Sequence, residues 1–155
     1  MMRRDATALL LAGIATVSAL ALSGCAHFVV LHDPLTANEH NDLGVAYEAD
    51  GHTALAVKEY RKSVRLDSHQ SRGWVNLGNA QAAQGRWHAA EMSYRRALRD
   101  SATNADAMNN LAVALLRQGQ RVETARALAV QAVAAGGERD SVYRETLQEV
   151  NDSAR

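Results

Sequence analysis

The strongest constraint on this chain is an internal period of 34 residues. A fixed period of this length predicts an array of short helix pairs, each of which buries its apolar face only against its neighbours. Such arrays present extended surfaces, so the period favours binding over catalysis. Three sets of matched positions carry the period: Leu43, Leu77 and Leu111; Ala46, Ala80 and Ala114; and Gly51, Gly85 and Gly119.

Composition narrows the class of protein further. The 155 residues carry no net formal charge and the isoelectric point is about 7.0, which argues against a dedicated nucleic-acid binder. The single cysteine excludes an internal disulfide and any multi-cysteine metal site. No proline follows Pro34, so nothing beyond it interrupts a helix by removing a backbone donor.

The N-terminus has the layout of a secretion signal. Arg3 and Arg4 form a basic start, and residues 6–22 form an apolar run without charge. The alternative is an uncleaved transmembrane helix, for which the run is at the short limit. The run ends in Leu22, Ser23, Gly24 and Cys25.

This ending resembles the lipobox of bacterial lipoproteins. The resemblance implies a signal peptide over 1–24, cleavage before Cys25, and acylation of the Cys25 thiol as a membrane anchor. A lipidated tether then spans 25–35, and Ala26 after the cysteine favours the outer membrane, facing the periplasm. The apolar residues 28–31 would pack on the first repeat, enter the lipid interface or bind a partner.

From residue 36 onward the sequence predicts paired helices. Thr36 and Glu39 fit a capping box that begins the first helix, and Asn104 is a candidate cap in the third repeat. The expected repeats are 36–69, 70–103 and 104–137, and 138–155 is a capping helix and tail that begins near Asp140.

These residues resemble the tetratricopeptide repeat pattern, W-x2-L-G-x2-Y followed by A-x3-F. The first repeat matches through Leu43, Gly44, Tyr47, Ala56 and Tyr60. The second repeat matches through Trp74, Leu77, Gly78, Ala90 and Tyr94. The third repeat is the weakest copy, and its slots hold Met108, Ala112, Leu115, Thr124 and Leu128.

The resemblance implies an all-α fold: a right-handed α-solenoid of three helix hairpins plus a C-terminal capping helix. The aromatic residues in the pattern slots, Trp74, Trp87, Tyr60 and Tyr94, are expected in the core, and the small residues Gly44 and Gly78 where helix backbones approach closely.

The family resemblance also implies a concave groove, lined by the first helix of each repeat, that holds a peptide or a partner protein. Asparagine both donates and accepts hydrogen bonds, which suits recognition of a peptide backbone. The alternative is a solvated groove with no ligand preference. The carboxylate clamp of chaperone-tail binders is disfavoured, since only Asn76 matches it. The candidate groove residues are Asn38, Asn41, Val45, Arg72, Val75, Asn76, Asn79, Asp106, Asn109, Asn110 and Val113.

Basic residues concentrate in 58–99, where nine stand against three acidic ones. Arg61, Arg65, Arg95 and Arg99 recur at the repeat period and are expected to form a stripe on the second helices. A solvated face is one interpretation of this stripe; contact with anionic lipid head groups or an acidic partner is the other.

The sequence contains no signature of catalysis. The six histidines show neither metal spacing nor HExxH, and no serine lies in a nucleophile elbow. We therefore expect no enzymatic activity, cofactor, metal site or small-molecule substrate. The sequence predicts a lipid-anchored periplasmic adaptor of unknown partner, in a setting such as pilus, secretion or envelope assembly. The alternative is an accessory subunit of a neighbouring periplasmic enzyme such as a cysteine peptidase, to which residues 31–47 bear a weak similarity.

Overall fold

Residues 33–153, which the computed structural model describes, form seven α-helices and no strand. None of these helices combines the length and apolarity that a membrane crossing requires. The expected signal peptide 1–24, Cys25 and the tether as far as residue 32 lie outside the described residues. The helices are α1 (Ala37–Ala49), α2 (Thr53–Leu66), α3 (Ser71–Ala83), α4 (Trp87–Asp100), α5 (Ala105–Arg117), α6 (Val122–Ala135) and α7 (Asp140–Ser153).

Local sequence signals set where the helices begin and turn. The predicted capping box is present: Glu39 N donates to Thr36 Oγ1 at 3.3 Å, and Thr36 N donates to Glu39 Oε2 at 2.7 Å. Asn104 Oδ1 caps α5 by accepting from Ala107 N at 2.9 Å. Gly51 and Gly85 turn the first two hairpins with φ of 76° and 71°, a backbone region that glycine enters without strain.

Each of the first two hairpins closes on a tyrosine ring. Tyr60 of α2 and Tyr94 of α4 are 0% and 2% exposed, which confirms the core prediction for both. A Cβ built on Gly44 would lie 2.6 Å from Tyr60 Cδ1, and one on Gly78 would lie 2.7 Å from Tyr94 Cδ1. The glycines therefore make room for an aromatic ring, whose atoms are the nearest neighbours of an added Cβ.

The two tryptophans are only partly buried. Trp74 packs against the buried cluster of Ala56, Tyr60 and Leu77, and its indole Nε1 donates to the carbonyl of Ser68 at 2.9 Å. Trp87 packs against the cluster that contains Tyr94. Part of each tryptophan side chain therefore lies in the core, as predicted, and the rest is exposed.

In the third repeat the buried positions are displaced by one residue. Three residues separate α1 from α2 and α3 from α4, whereas four separate α5 from α6. The repeat pattern assigns Thr124 and Leu128 to the core slots, but Thr124 is exposed and Leu128 only partly buried. That part of the prediction is wrong because of the additional loop residue. The fully buried residues of α6 are Ala125, Ala129 and Ala132.

A buried carboxylate holds this irregular turn against the second repeat. The Glu91 side chain is 1% exposed and accepts from Gln118 Nε2 at 2.8 Å, and it contacts the guanidinium groups of Arg95 and Arg121. Arg121 has a left-handed backbone (φ 50°), which costs about 1–2 kcal/mol in a residue with a side chain. Burial would raise the pKa of Glu91, but the bond from Gln118 and the two arginine charges outweigh it and hold that pKa below its ordinary value.

The final helix, α7, covers the apolar end of the array. Its Val150 and Tyr143 are 0% and 3% exposed and pack on α5 and α6. The Tyr143 hydroxyl donates to Asp106 Oδ1 of α5 at 3.0 Å. The predicted fold class is confirmed: consecutive helix hairpins form an all-helical solenoid, and α7 closes it.

Candidate functional site

The first helices of the three repeats are linked by pairs of asparagine side chains. Asn76 Nδ2 of α3 donates to Asn41 Oδ1 of α1 at 2.9 Å. One repeat further along, Asn110 Nδ2 of α5 donates to Asn79 Oδ1 of α3, also at 2.9 Å. Four of the predicted groove residues therefore bind one another across the repeat interfaces, and hold the first helices in register.

Other predicted groove residues are held by neighbouring side chains. Asn38 Oδ1 accepts from the amide of Gln70, and Arg72 pairs with Asp42 at 2.9 Å. Asp106 accepts a hydrogen bond from Arg139 Nη1 at 3.0 Å and a second one from the Tyr143 hydroxyl of α7. Asp106 therefore fastens the capping helix to the third repeat.

Burial separates the predicted groove residues into two groups. Asn41, Val75 and Asn109 are 1%, 9% and 3% exposed, so this row lies in the packed interior and offers little to a ligand. The remaining residues are wholly or partly exposed: Asn38, Val45, Arg72, Asn76, Asn79, Asp106, Asn110 and Val113.

A concavity lies between the second and third repeats, and we call it the inter-repeat recess. Its volume is about 290 Å³, and the apolar Ala82, Ala83, Trp87 and Val113 make up most of its wall. Its polar groups are Asn79, Asn110 and the tyrosine of α4. An apolar recess with a few oriented polar groups is the usual form of a ligand-binding site.

The hydrogen bonds of the recess leave the amide nitrogen of Asn79 available. Asn79 Oδ1 accepts both from the Tyr94 hydroxyl and from Asn110 Nδ2, each at 2.9 Å. Among the residues that the structure describes, the Nδ2 amide of Asn79 has no partner. Burial raises the pKa of Tyr94, with a smaller contribution from the charge of Glu48, so its hydroxyl keeps its proton and remains a donor to Asn79. The recess can therefore offer an N–H to a carbonyl beside an apolar surface.

Four residues of this recess are absent from the predicted groove residues: Ala82, Ala83, Trp87 and Tyr94. The apolar pattern assigns Trp87 and Tyr94 wholly to the core. A signal is nevertheless present at Trp87, since the matched positions in the other repeats are Thr53 and Arg121. A large aromatic residue that occurs in one repeat only is more consistent with a site than with the repeated packing.

Residues 33–153 contain no group of histidine, cysteine, aspartate and glutamate side chains that could hold a metal ion. The polar groups of the recess are neutral amides and a phenol, which suits hydrogen-bonded recognition of a neutral polar backbone.

Comparison with known proteins identifies the repeats. A tetratricopeptide repeat model matches residues 40–70, and a second TPR repeat model matches residues 78–119. No curated protein matches the sequence significantly.

Similar solved structures share the fold at low sequence identity. The first TPR of Spaghetti (RPAP3), bound to the HSP90 peptide SRMEEVD, has a TM-score of 0.72 at 16% identity and covers 81% of this chain and 98% of its own. The Yersinia enterocolitica type III secretion chaperone SycD, in complex with a peptide of the translocator YopD, has a TM-score of 0.68 at 18% identity, with coverages of 76% and 94%. The TPR2B domain of yeast Sti1, in a pHsp70 complex, has a TM-score of 0.70 at 17% identity, with coverages of 75% and 96%. Residues 40–70 and 78–119 therefore match tetratricopeptide repeats, and the helix hairpins share the fold of solved tetratricopeptide repeat domains.

Proposed function

We propose that this protein is an adaptor that binds an extended segment of a partner protein along its first helices, with the inter-repeat recess as the anchor point. The observation that carries the proposal is the available Asn79 amide beside an apolar recess of about 290 Å³. A segment bound there would place an apolar side chain against Trp87 and Val113 and direct a backbone carbonyl to Asn79.

Two observations on other proteins support this mode of binding. The similar domain of RPAP3 holds an HSP90 peptide, and the similar chaperone SycD holds a peptide of a translocator. The asparagine pairs favour a neutral backbone as the ligand here, because they present amides in place of a cluster of cations.

The adaptor hypothesis is tested by photo-crosslinking in cells. A benzophenone amino acid is introduced at Ala83, which lies in the recess and is exposed, and at the exposed Ala134 of α6 as the control position. We expect a partner that crosslinks from Ala83 and not from Ala134, identified by mass spectrometry of the product.

Matched substitutions then ask whether the recess itself is needed. Val113→Arg fills the recess with a charged side chain, whereas Val130→Arg changes a valine of α6 that is 49% exposed and outside the recess. The Ala83 product should disappear in the first variant and persist in the second. No reproducible product, or one equally formed in Val113→Arg, would refute the groove as the binding site.

We propose further that the protein acts at the bacterial cell envelope, anchored through acylated Cys25. The motif of Leu22, Ser23, Gly24 and Cys25 supports this, as do the basic start and apolar run before it. Two or more acyl chains anchor a protein stably in a membrane, since each buried methylene contributes about 0.8 kcal/mol. Cys25→Ser should abolish labelling by a palmitate analogue and release the protein from membranes. Unchanged membrane fractionation of this variant would instead favour an uncleaved helix.

A further inference from the structure

A second concavity lies between α2 and α4, the second helices of the first two repeats, and α3 forms its floor. Its volume is about 390 Å³, and its apolar wall includes Val64, Trp74, Leu77 and Met92. Met92 is 51% exposed although it is large and apolar. This second concavity uses none of the residues that line the inter-repeat recess.

The second concavity continues into a strongly basic one. The neighbouring concavity, of about 340 Å³, is lined by four cationic side chains, Lys58, Arg61, Arg65 and Arg86, and by no acidic one. Arg61 and Arg65 line both concavities, so the two form one feature that is apolar at one end and cationic at the other. We call the whole feature the arginine furrow.

The cations of the furrow are not neutralised within the described part of the chain. Arg95, which the repeat pattern assigns to the basic stripe, pairs with the buried Glu91. The five cations that line the furrow are Lys58, Arg61, Arg65, Arg86 and Arg96. None of the five forms an ion pair with a carboxylate among residues 33–153. All five are exposed.

Two of these cations are positioned by other contacts. Arg65 Nε donates to the carbonyl of Arg61 at 3.1 Å, and the Arg96 guanidinium lies 5.4 Å from the centre of the Trp74 ring. Lys58, Arg61 and Arg65 follow one another at helical spacing on α2, where each like-charge pair costs about 0.2–0.5 kcal/mol. The array therefore holds positive charge around an apolar wall at some cost in stability, as a surface for an anionic partner would.

We propose that the arginine furrow binds a second protein segment: an acidic one, whose bulky apolar side chain enters the furrow beside Trp74 and Met92 and whose carboxylates meet Arg61 and Arg65. An amphipathic segment in a groove is recognised in this way, by apolar anchors with charges beside them. The recessed apolar wall favours a protruding segment over the flat surface of an anionic membrane. This site is independent of the inter-repeat recess, so the protein would hold two segments at once.

The test uses the full chain in a mild detergent and short random peptides displayed on phage. Peptides are kept when they bind the wild type but not Arg61→Glu/Arg65→Glu, which removes binders of other surfaces. Arg99→Glu serves as the matched control, because Arg99 is exposed on α4 and lies outside the furrow. The double variant relieves like-charge repulsion, so its thermal stability should equal or exceed that of the wild type.

We expect the retained peptides to be enriched in aspartate and glutamate next to large apolar residues. In fluorescence anisotropy they should bind at least about tenfold more weakly to Met92→Asp, equally well to Arg99→Glu, and more weakly as salt is raised. Failure to recover peptides, or recovery of peptides without acidic residues, would overturn the proposal. It would also be overturned if phosphatidylglycerol vesicles bound through Arg61 and Arg65 and acidic peptides did not compete with them.

Discussion

Replacement of Gly78 by alanine tests whether the tyrosine ring of the second hairpin is fixed in place. A Cβ at this position would lie 2.7 Å from Tyr94 Cδ1 and 2.9 Å from Tyr94 Cζ, well inside normal contact. The ring cannot withdraw easily, because it is 2% exposed and its hydroxyl donates to Asn79 Oδ1 at 2.9 Å.

Two opposing effects set the size of the change in stability. Alanine favours the interior of a helix over glycine by about 1 kcal/mol. Forcing an additional methyl group into a packed core costs about 1–3 kcal/mol. At Gly78 the second effect acts on an anchored ring, so we expect Gly78→Ala to lower the free energy of unfolding by about 1–2 kcal/mol.

Urea denaturation followed by circular dichroism measures this difference. The same substitution in a Tyr94→Leu variant tests whether the tyrosine ring causes it. In Tyr94→Leu the ring is absent, so Gly78→Ala should there be neutral or stabilising by up to about 1 kcal/mol. Gly44 and Tyr60 repeat the geometry, with 2.6 Å between a Cβ built on Gly44 and Tyr60 Cδ1, and should respond alike. If Gly78→Ala stabilised the wild-type chain, the ring would not be held as we describe.

Three further predictions each concern one residue. The pKa of Glu91 is held below its ordinary 4.5, so its charge stabilises the fold above that pH and the contribution is lost as the pH falls further. Glu91→Gln should lower the free energy of unfolding by about 1–2 kcal/mol near pH 7, a moderate loss because Arg95 and Arg121 are partly exposed. In urea titrations the free energy of unfolding of this variant should change less between about pH 7 and about pH 3 than that of the wild type. Thr36→Ala should cost about 1 kcal/mol by removing the cap of α1, which thermal unfolding against Thr36→Ser would detect. Gly85 has φ 71°, and among the described residues other than its chain neighbours no atom lies within 4 Å of an added Cβ. Gly85→Ala should therefore cost about 1–2 kcal/mol through backbone strain, and an unchanged melting temperature would contradict this.

The helices could be predicted from the sequence because their signals are local. Thr36 and Asn104 cap helices through atoms three residues away, and Gly51 and Gly85 turn the chain without help from other repeats. The helices of the structure keep the period of 34 residues, since the first helices of the three repeats begin at matched positions: Ala37, Ser71 and Ala105.

The candidate site could be predicted only in part, because exposure depends on which neighbour covers a helix face. The repeat pattern assigns Asn41 and Asn79 to the same groove, yet Asn41 is 1% exposed whereas Asn79 lines the recess. Trp87 fits an apolar pattern, but the gap between two repeats leaves part of its side chain facing the recess. Spacing along one helix gives the direction of a side chain, and gives no information on what lies opposite.

The sequence by itself determined the repeated helix hairpins, their turns and the all-helical class, since short-range hydrogen bonds and apolar periodicity suffice for these. Only the tertiary structure decided the one-residue displacement in α6, where the left-handed Arg121 reaches back to Glu91 across 30 positions of sequence. It likewise separated Arg95, which pairs with Glu91, from Arg61 and Arg65, which have no ion pair among residues 33–153. Charge and burial are set by partners distant in the chain, and those partners meet only when the repeats stack.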